Sequence, residues 1–192
     1  SITAMMKLSQ FTFSQFLLSL LGWLFSGASL LAADTHHTHG AHVHGEAELY
    51  IIYEHSRLFI EFTSPAINLI GFEHPPQNEK QQSALSHTKQ VLAEGKQLFQ
   101  IEPPHCQLET ATASAPYIDG TPSAEHFHPQ GEHPDFHASY TFNCQANTKL
   151  TTIHTTLVAK FPGIERIKVL WIAHNQQGST QLTASRTTIS LN

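Results

Sequence analysis

The chain has 192 residues, a formal charge of −5 with histidine counted as neutral, and 15 histidines against 10 lysines and arginines. This length suits one domain that is large enough to bury its own core. The basic residues are few and scattered, so the basic stripe that is typical of nucleic-acid-binding proteins is missing, and we expect no nucleic-acid partner.

Residues 1–33 have the pattern of a secretory signal peptide. Lys7 supplies a positive charge, residues 16–25 form an apolar run, and Ala32-Ala33 offers small side chains for cleavage. The apolar run is shorter than the ~20 residues that a spanning helix needs. We therefore expect cleavage, export and no stable membrane insertion afterwards, with a retained anchor as the alternative.

Residues 34–45 form a histidine-rich segment ahead of the first predicted strand. Its histidines are His36, His37, His39, His42 and His44. Imidazole is the commonest protein ligand for transition metals, and it is largely neutral near pH 7. These residues are predicted metal ligands that release their ion at lower pH. If cleavage follows Ala33, the new N-terminus would also offer a square-planar donor set for Cu²⁺ or Ni²⁺. A polar leader without a ligand is the alternative.

The next elements are a predicted hairpin and a predicted helix. Residues 46–53 and 57–63 are rich in β-branched and aromatic side chains and partly alternate, which predicts two paired strands. His42 and His44 would share a face of the first strand if that strand begins early enough, and Glu46 could add a ligand. Apolar residues at three- and four-residue steps over 78–94, followed by a glycine, predict a helix.

The second half of the chain predicts further strands around a polar insertion. Proline, glycine, histidine and acidic residues fill 113–134 without an apolar period, which is typical of a long surface loop. Predicted strands lie at 98–101, 107–112, 136–144, 151–161, 164–173 and 180–184, with turns at 162–163 and 175–178. About seven strands and one helix predict a mainly β, antiparallel β-sandwich-like single domain over 46–192, with a long His-rich loop insertion at 113–137.

The insertion carries a second group of candidate metal ligands. They are His126, His128, His133 and His137, with Glu125, Glu132 and Asp135 nearby as oxygen ligands or as acceptors that orient the rings. A solvated polar loop is the alternative. His74 stands alone in sequence and is also a candidate, whereas His55, His87, His154 and His174 are expected to be ordinary turn, surface or core residues.

The two cysteines, Cys106 and Cys144, are expected to form a disulfide because an exported chain meets oxidising conditions. In the chain-entropy model a loop of about 38 residues closed in this way stabilises the fold by roughly 4 kcal/mol. The disulfide would also bring together the residues that lie between the two cysteines. The alternative is a zinc site that uses Cys106 with His105.

Catalytic motifs are missing from the sequence. It has no glycine-rich phosphate loop and no His-Glu-x-x-His, and no Ser-His-Asp set can be picked out. We predict that the protein is not an enzyme, with a metal-dependent hydrolase as the alternative of a different class.

Four stretches of the chain resemble the ZrgA family of exported bacterial proteins. They are 39–49 (His-Gly-Ala-His-Val-His-Gly-Glu-Ala-Glu-Leu), 64–74 (Ser-Pro-Ala-Ile-Asn-Leu-Ile-Gly-Phe-Glu-His), the strand at 135–144 and 161–165 (Phe-Pro-Gly-Ile-Glu). The resemblance implies a zinc-regulated periplasmic protein that binds Zn²⁺ and assists its uptake by an ATP-driven importer. Members usually have a histidine- and acid-rich insertion between two cysteines, and here that insertion is short. A copper- or nickel-binding scavenger is the alternative of the same class.

Overall fold

A computed structural model describes residues 43–118 and 134–191. The strands in these residues are β1 (Glu46–Glu54), β2 (Arg57–Pro65), β3 (Phe99–Glu102), β4 (Cys106–Ser114), β5 (Asp135–Cys144), β6 (Thr152–Thr155), β7 (Arg166–Ala173), β8 (Gln176–Leu182) and β9 (Thr188–Ser190). The helices are α1 (Ala66–Ile70), α2 (Glu79–Ala93), α3 (Gly95–Leu98) and α4 (Leu157–Lys160). The mainly β class that the sequence predicts is confirmed.

The strands of the described residues form two sheets. One is six-stranded in the order β4-β5-β2-β1-β7-β8, and the other is three-stranded in the order β3-β6-β9. Neighbours pair antiparallel except for β1 and β7, which run parallel. The larger sheet is therefore mainly antiparallel, as the sequence predicted, but it contains one parallel pair that the sequence did not predict.

Buried and exposed side chains alternate along the strands, so the six-stranded sheet has an inner, buried face and an outer, exposed face. In β1, β5 and β7, every second side chain is buried and the residues between them are largely exposed, as the pleat of a strand requires. The inner face packs against α2 and the smaller sheet. Tyr140 on β5 shows this contact, because its hydroxyl donates to the Leu92 carbonyl at 2.7 Å and its ring meets Phe99 edge-on.

The long helix begins and packs as its sequence predicts. The Asn78 side chain accepts a hydrogen bond from the Gln81 amide and caps the first turn, while Leu85, Thr88 and Leu92 face the core. Gly95, the expected helix stop, begins the short helix α3 instead. A Cβ at Gly95 would lie 2.7 Å from the Tyr140 ring. The close packing of this ring therefore leaves no room for a side chain at position 95.

Three predicted strand boundaries are wrong. The expected strand at 151–161 is β6 followed by α4, because Leu157 and Val158 are both buried and consecutive strand residues would point to opposite faces. The last predicted strand begins earlier, at Gln176, because the turn is at His174 and Asn175, both in the left-handed region. At the edges of the predicted insertion (113–137), residues 113–114 belong to β4 and residues 135–137 belong to β5.

The predicted disulfide is present. Cys106 and Cys144 are joined, and they face each other in the register of β4 and β5. The alternative of a zinc thiolate at Cys106 is excluded in this structure because the sulfur is in the bond. Within the described residues, no helix combines the length and the apolar character that crossing a membrane would take.

Candidate metal centre

Several segments with candidate ligands meet at one edge of the six-stranded sheet, which we term the histidine end. There β1 and β7 begin together, and β2 ends opposite the start of β5. The end of β4 also lies beside the start of β5. The Ala66 amide, which follows β2, donates to the Pro134 carbonyl at 2.9 Å. One described member of each predicted histidine group lies here: His44 is two residues before the start of β1, and His137 is near the start of β5.

His44 lies in a tight turn just before β1. The Glu46 amide donates to the Val43 carbonyl at 2.9 Å, and Gly45 has a φ of 82°, in the left-handed region that glycine adopts most readily. The condition under which His42 and His44 would share one face of a strand is not met at His44, because β1 starts only at Glu46. A Cβ on Gly45 would also lie 2.9 Å from the Glu165 side chain.

The buried Asn68 side chain anchors this turn. Its Oδ1 accepts from the Gly45 amide at 2.7 Å, and its Nδ2 donates to the Glu46 carbonyl at 2.8 Å and to Ser64 Oγ at 3.3 Å. Asn68 is 5% exposed, so these backbone groups would be costly to leave without partners. One side chain of α1 thus fixes the turn that carries His44.

A second segment supports the turn from the opposite side. The amides of Glu165 and Arg166 both donate to the Gly45 carbonyl, at 2.8 and 3.0 Å. Gly163 approaches Asn68 so closely that a Cβ there would lie 2.3 Å from the Asn68 carbonyl oxygen. Three of the four stretches quoted above (39–49, 64–74 and 161–165) therefore meet around Asn68.

The turn places His44 beside Glu73. His44 Nε2 lies 3.6 Å from Glu73 Oε2, and the two side chains are 70% and 25% exposed. In a tetrahedral zinc site with bonds of 2.0 to 2.2 Å, two donor atoms lie about 3.3 to 3.5 Å apart. Imidazole nitrogen and carboxylate oxygen are both zinc ligands, so this pair fits two corners of such a site with little movement.

Tyr117 holds the backbone of Glu73 in place. The Tyr117 hydroxyl donates to the Glu73 carbonyl at 2.9 Å. Burial raises the pKa of the Tyr117 hydroxyl, and the nearby Glu73 charge raises it further, so the hydroxyl keeps its proton at neutral pH. Tyr117 follows β4, and it therefore links the acid beside His44 to the start of the predicted insertion.

His74 is oriented by its neighbours but does not join the pair. Its Nδ1 lies 2.9 Å from the Pro75 carbonyl, which can only accept, so Nδ1 donates in this contact. The ring also stacks on Phe72, with centroids 5.1 Å apart. This is the arrangement by which proteins orient a histidine toward a metal.

His137 projects from the exposed face of β5. Its Nδ1 lies 3.2 Å from Thr63 Oγ1 on the neighbouring strand. The predicted strand at 136–144 includes His137, and the structure places this residue in the third position of β5. It therefore lies on a paired strand, three residues after the described chain resumes at Pro134.

Glu46 is not available as the further ligand that the sequence suggested. Its carboxylate is 2.8 Å from Arg166 Nε and 2.5 Å from Lys168 Nζ. The hydrogen bond from Lys168, together with the positive charges of both bases, holds the pKa of this carboxyl below its usual value against a smaller effect of burial. A carboxylate engaged in this way is a poor candidate for a metal.

The remaining predicted ligands lie outside the described residues. They are His36, His37, His39, His42, His126, His128 and His133. Within 43–118 and 134–191, no three side chains of His, Cys, Asp or Glu gather closely enough to hold an ion. The described part of the centre is thus the His44 and Glu73 pair, with His74, which follows Glu73, and His137 on β5 as further candidate histidines.

Two residues of the centre were missed by sequence reasoning. Glu73 was noted only as part of a motif, although its position directly before His74 could have drawn attention to it as a ligand. Asn68 gives no sequence signal, because an asparagine in an apolar connector is equally typical of a turn or a helix cap. Only the packing of Gly45 and Gly163 against it reveals its role.

Comparison with known proteins bears on the kind of centre this is. Among curated proteins, no sequence matches the chain significantly. A family model described as "ZrgA family zinc uptake protein" matches residues 41–191, a span that contains His44, Asn68, Glu73 and the disulfide. The chain therefore belongs to the ZrgA family of zinc uptake proteins, as the resemblance of its motifs predicted.

Proposed function

We propose that the protein captures Zn²⁺ in the periplasm at the histidine end of its sheet and assists delivery of the ion to an ATP-driven importer. The observation that carries this proposal is the separation of 3.6 Å between His44 Nε2 and Glu73 Oε2, close to the spacing of two zinc ligands. Family membership supports zinc as the cargo.

The donor chemistry explains why an ion would be held and later released. A neutral imidazole and one carboxylate bind Zn²⁺ without redox chemistry, and two donors alone give a weak site. Two donors do not complete a tetrahedral site. Further donors are therefore expected, with His42 and the predicted histidine ligands between Ile118 and Pro134 as candidates. A site completed by separate segments can open one ligand at a time, which suits transfer to another protein.

No covalent step is part of this proposal, and the protein is proposed not to be an enzyme. The copper- or nickel-binding alternative depends on the free N-terminus that cleavage after Ala33 would create, and the His44 and Glu73 pair does not contribute to it. The hydrolase alternative would need the same zinc site together with a group that activates water.

Competitive zinc titration on the mature protein tests the proposal. We expect the double variant His44→Ala, Glu73→Ala to bind Zn²⁺ at least about tenfold more weakly, because it loses two ligands. The matched control is His55→Ala, Glu54→Ala, because His55 Nδ1 and Glu54 Oε1 lie 3.5 Å apart in an exposed pair at the β1 to β2 turn. That control should leave zinc affinity unchanged.

Equal loss in both double variants would mean that zinc binds surface pairs without preference, and no loss in either would reject the site. Titration with Cu²⁺ and Ni²⁺ on protein with a mapped N-terminus separates the scavenger alternative. Zinc accumulation by zinc-limited cells that carry the wild type or the His44→Ala, Glu73→Ala variant then tests the link to uptake. Equal accumulation by the two strains would contradict it.

A further inference from the structure

The outer face of the six-stranded sheet carries an apolar patch away from the histidine end. Tyr50 and Ile52 on β1, Phe59 on β2, and Leu170 and Ile172 on β7 are each 39–51% exposed. Large apolar side chains scattered singly over a surface are ordinary, but a contiguous group of them is typical of an interaction site. We term these five residues the apolar patch.

Strand register makes the patch contiguous. Tyr50 is paired with Leu170 and Ile52 with Ile172 in the parallel ladder, and Ile52 is paired with Phe59 in the antiparallel ladder. The parallel ladder also pairs Glu48 with Lys168 at the edge of the patch that faces the histidine end. All of these side chains stand on the outer face, because the residues between them are buried.

This pattern is complementary to itself. A twofold axis parallel to β1 and β7, placed between them above the outer face, would set β1 of one copy over β7 of the other. The two strands are parallel and in register. Each residue of β1 would therefore face, in the second copy, the β7 residue with which it is paired within one chain. Tyr50 would meet the second copy's Leu170, and Ile52 its Ile172.

The charges at the rim agree with the same symmetry. Glu48 of each copy would face Lys168 of the other, and Glu61 on β2 would face Ser179 on β8, which is paired with Leu170. Lys168 already contacts Glu46 of its own chain, and a second carboxylate could share its ammonium group. No two like charges oppose each other at these positions.

We propose that the outer face of the sheet is a homodimer interface, in which a second copy packs its apolar patch on the first about this twofold axis. Isologous packing of two identical patches is the commonest form of association among soluble proteins. Two sheets packed face to face keep their strand directions within about 30° of each other, which the axis allows. The partner is a second copy because Tyr50, Ile52, Leu170 and Ile172 of the patch, together with the charges at its rim, complement themselves.

Sedimentation equilibrium of the mature protein, with zinc removed by chelator so that histidines cannot bridge two copies, tests this interface. We expect a reversible dimer in the micromolar range. Glu48→Lys alone would oppose two lysines, and Lys168→Glu alone would oppose two glutamates. Each single variant should weaken dimerisation at least about tenfold, because opposed like charges are costly at an interface.

The decisive experiment measures association in a mixture of the Glu48→Lys and Lys168→Glu variants. In the mixed dimer, the two substituted side chains face each other with opposite charges, and the native Glu48 of one copy faces the native Lys168 of the other. Both contacts thus regain opposite charges, and association should return to near the wild-type level. Thermal unfolding of each variant controls for folding, and Glu48→Lys leaves the contact between Lys168 and Glu46 intact. A monomer at every concentration, or a mixture that associates no better than its components, overturns the proposal.

Discussion

The two ends of the six-stranded sheet are held together in different ways. At one end, Cys106 and Cys144 tie β4 to β5 covalently, and the Cys144 amide also donates to the Ser56 carbonyl in the β1 to β2 turn. At the histidine end, the hydrogen bonds of the Asn68 side chain and the close approach of Gly163 hold the turn that carries His44.

This difference separates the stability of the fold from the geometry of the metal centre. The sequence suggested that the disulfide would gather the histidine-rich insertion. In the structure it closes the opposite end of the β4 and β5 ladder, with the paired strands between it and the insertion. The covalent tie therefore stabilises the sheet, while the geometry of the centre depends on a small buried polar network.

The largest effect is expected from removing the disulfide. Cys106→Ala, Cys144→Ala should lower the free energy of unfolding by about 4 kcal/mol, because the bond closes a loop between residues 38 apart. Zinc affinity should stay within about twofold of the wild type, because distant sites couple weakly. Urea denaturation and zinc titration measure the two effects. A parallel loss of zinc affinity would show that the disulfide orders the centre after all.

Replacing the buried asparagine should affect both properties. Asn68→Ala should cost about 2 to 3 kcal/mol of stability, because the Gly45 amide and the Glu46 carbonyl lose buried partners. It should also weaken zinc binding about 10- to 100-fold, as the loss of a group that orients a ligand does. Asn143→Ala, an exposed position on β5, is the control and should change neither. Lost stability with unchanged zinc affinity would make Asn68 a purely structural residue.

Adding a side chain at Gly163, which packs closely against Asn68, should lower stability less than replacing Asn68 does. Gly163→Ala places a Cβ 2.3 Å from the Asn68 carbonyl oxygen, so α1 or the 161–165 segment must shift. We expect a loss of about 1 to 2 kcal/mol, which is usual for an overpacked contact, and a weaker zinc site. Pro162→Ala, at the exposed neighbour, should stay within about 1 kcal/mol of the wild type. Thermal unfolding measures the stability of the Gly163→Ala and Pro162→Ala variants. Equal stabilities would mean that a small shift relieves the contact between the added Cβ and the Asn68 carbonyl oxygen.

The smallest effect concerns acid stability at the start of β1. The pKa of Glu46 is held below its ordinary value of 4.5 by Lys168 and Arg166. The native state thus binds fewer protons than the unfolded chain, so this contribution is present above pH 4.5 and is lost as the pH falls through the lowered pKa. Glu46→Gln should be less stable than the wild type near pH 7, and the gap should close below about pH 4. Urea midpoints from about pH 3 to 7 test this, and a constant gap would contradict it.

Local patterns predicted much of the fold. These patterns are the alternation of apolar and polar residues in β1, β2 and β5, the helical spacing in α2, and two cysteines in a chain predicted to be exported. Each depends on residues near one another or on composition. The parallel pairing of β1 with β7 was not predictable in this way. It joins segments about 120 residues apart, and neither strand differs in composition from an antiparallel one.

The candidate centre was predictable in its residue types but not in its geometry. Histidine enrichment indicated a metal, and His44 was named, but its partner Glu73 is brought near it by α1 and by hydrogen bonds between segments distant in sequence. The carboxylate of Glu46, which the sequence suggested as a further ligand, is paired instead with Lys168 and Arg166, more than 100 residues away. Non-local contacts decide which of several acids is free to bind an ion.

The most direct test of the central claim is anomalous diffraction at the zinc absorption edge from crystals of the mature protein grown with Zn²⁺. The account predicts a strong peak between His44 Nε2 and Glu73 Oε2, about 2.0 to 2.2 Å from each atom. That peak should be completed by further donors and absent in the His44→Ala, Glu73→Ala variant. A well-ordered zinc ion elsewhere, with His44 and Glu73 free of metal, would contradict the account.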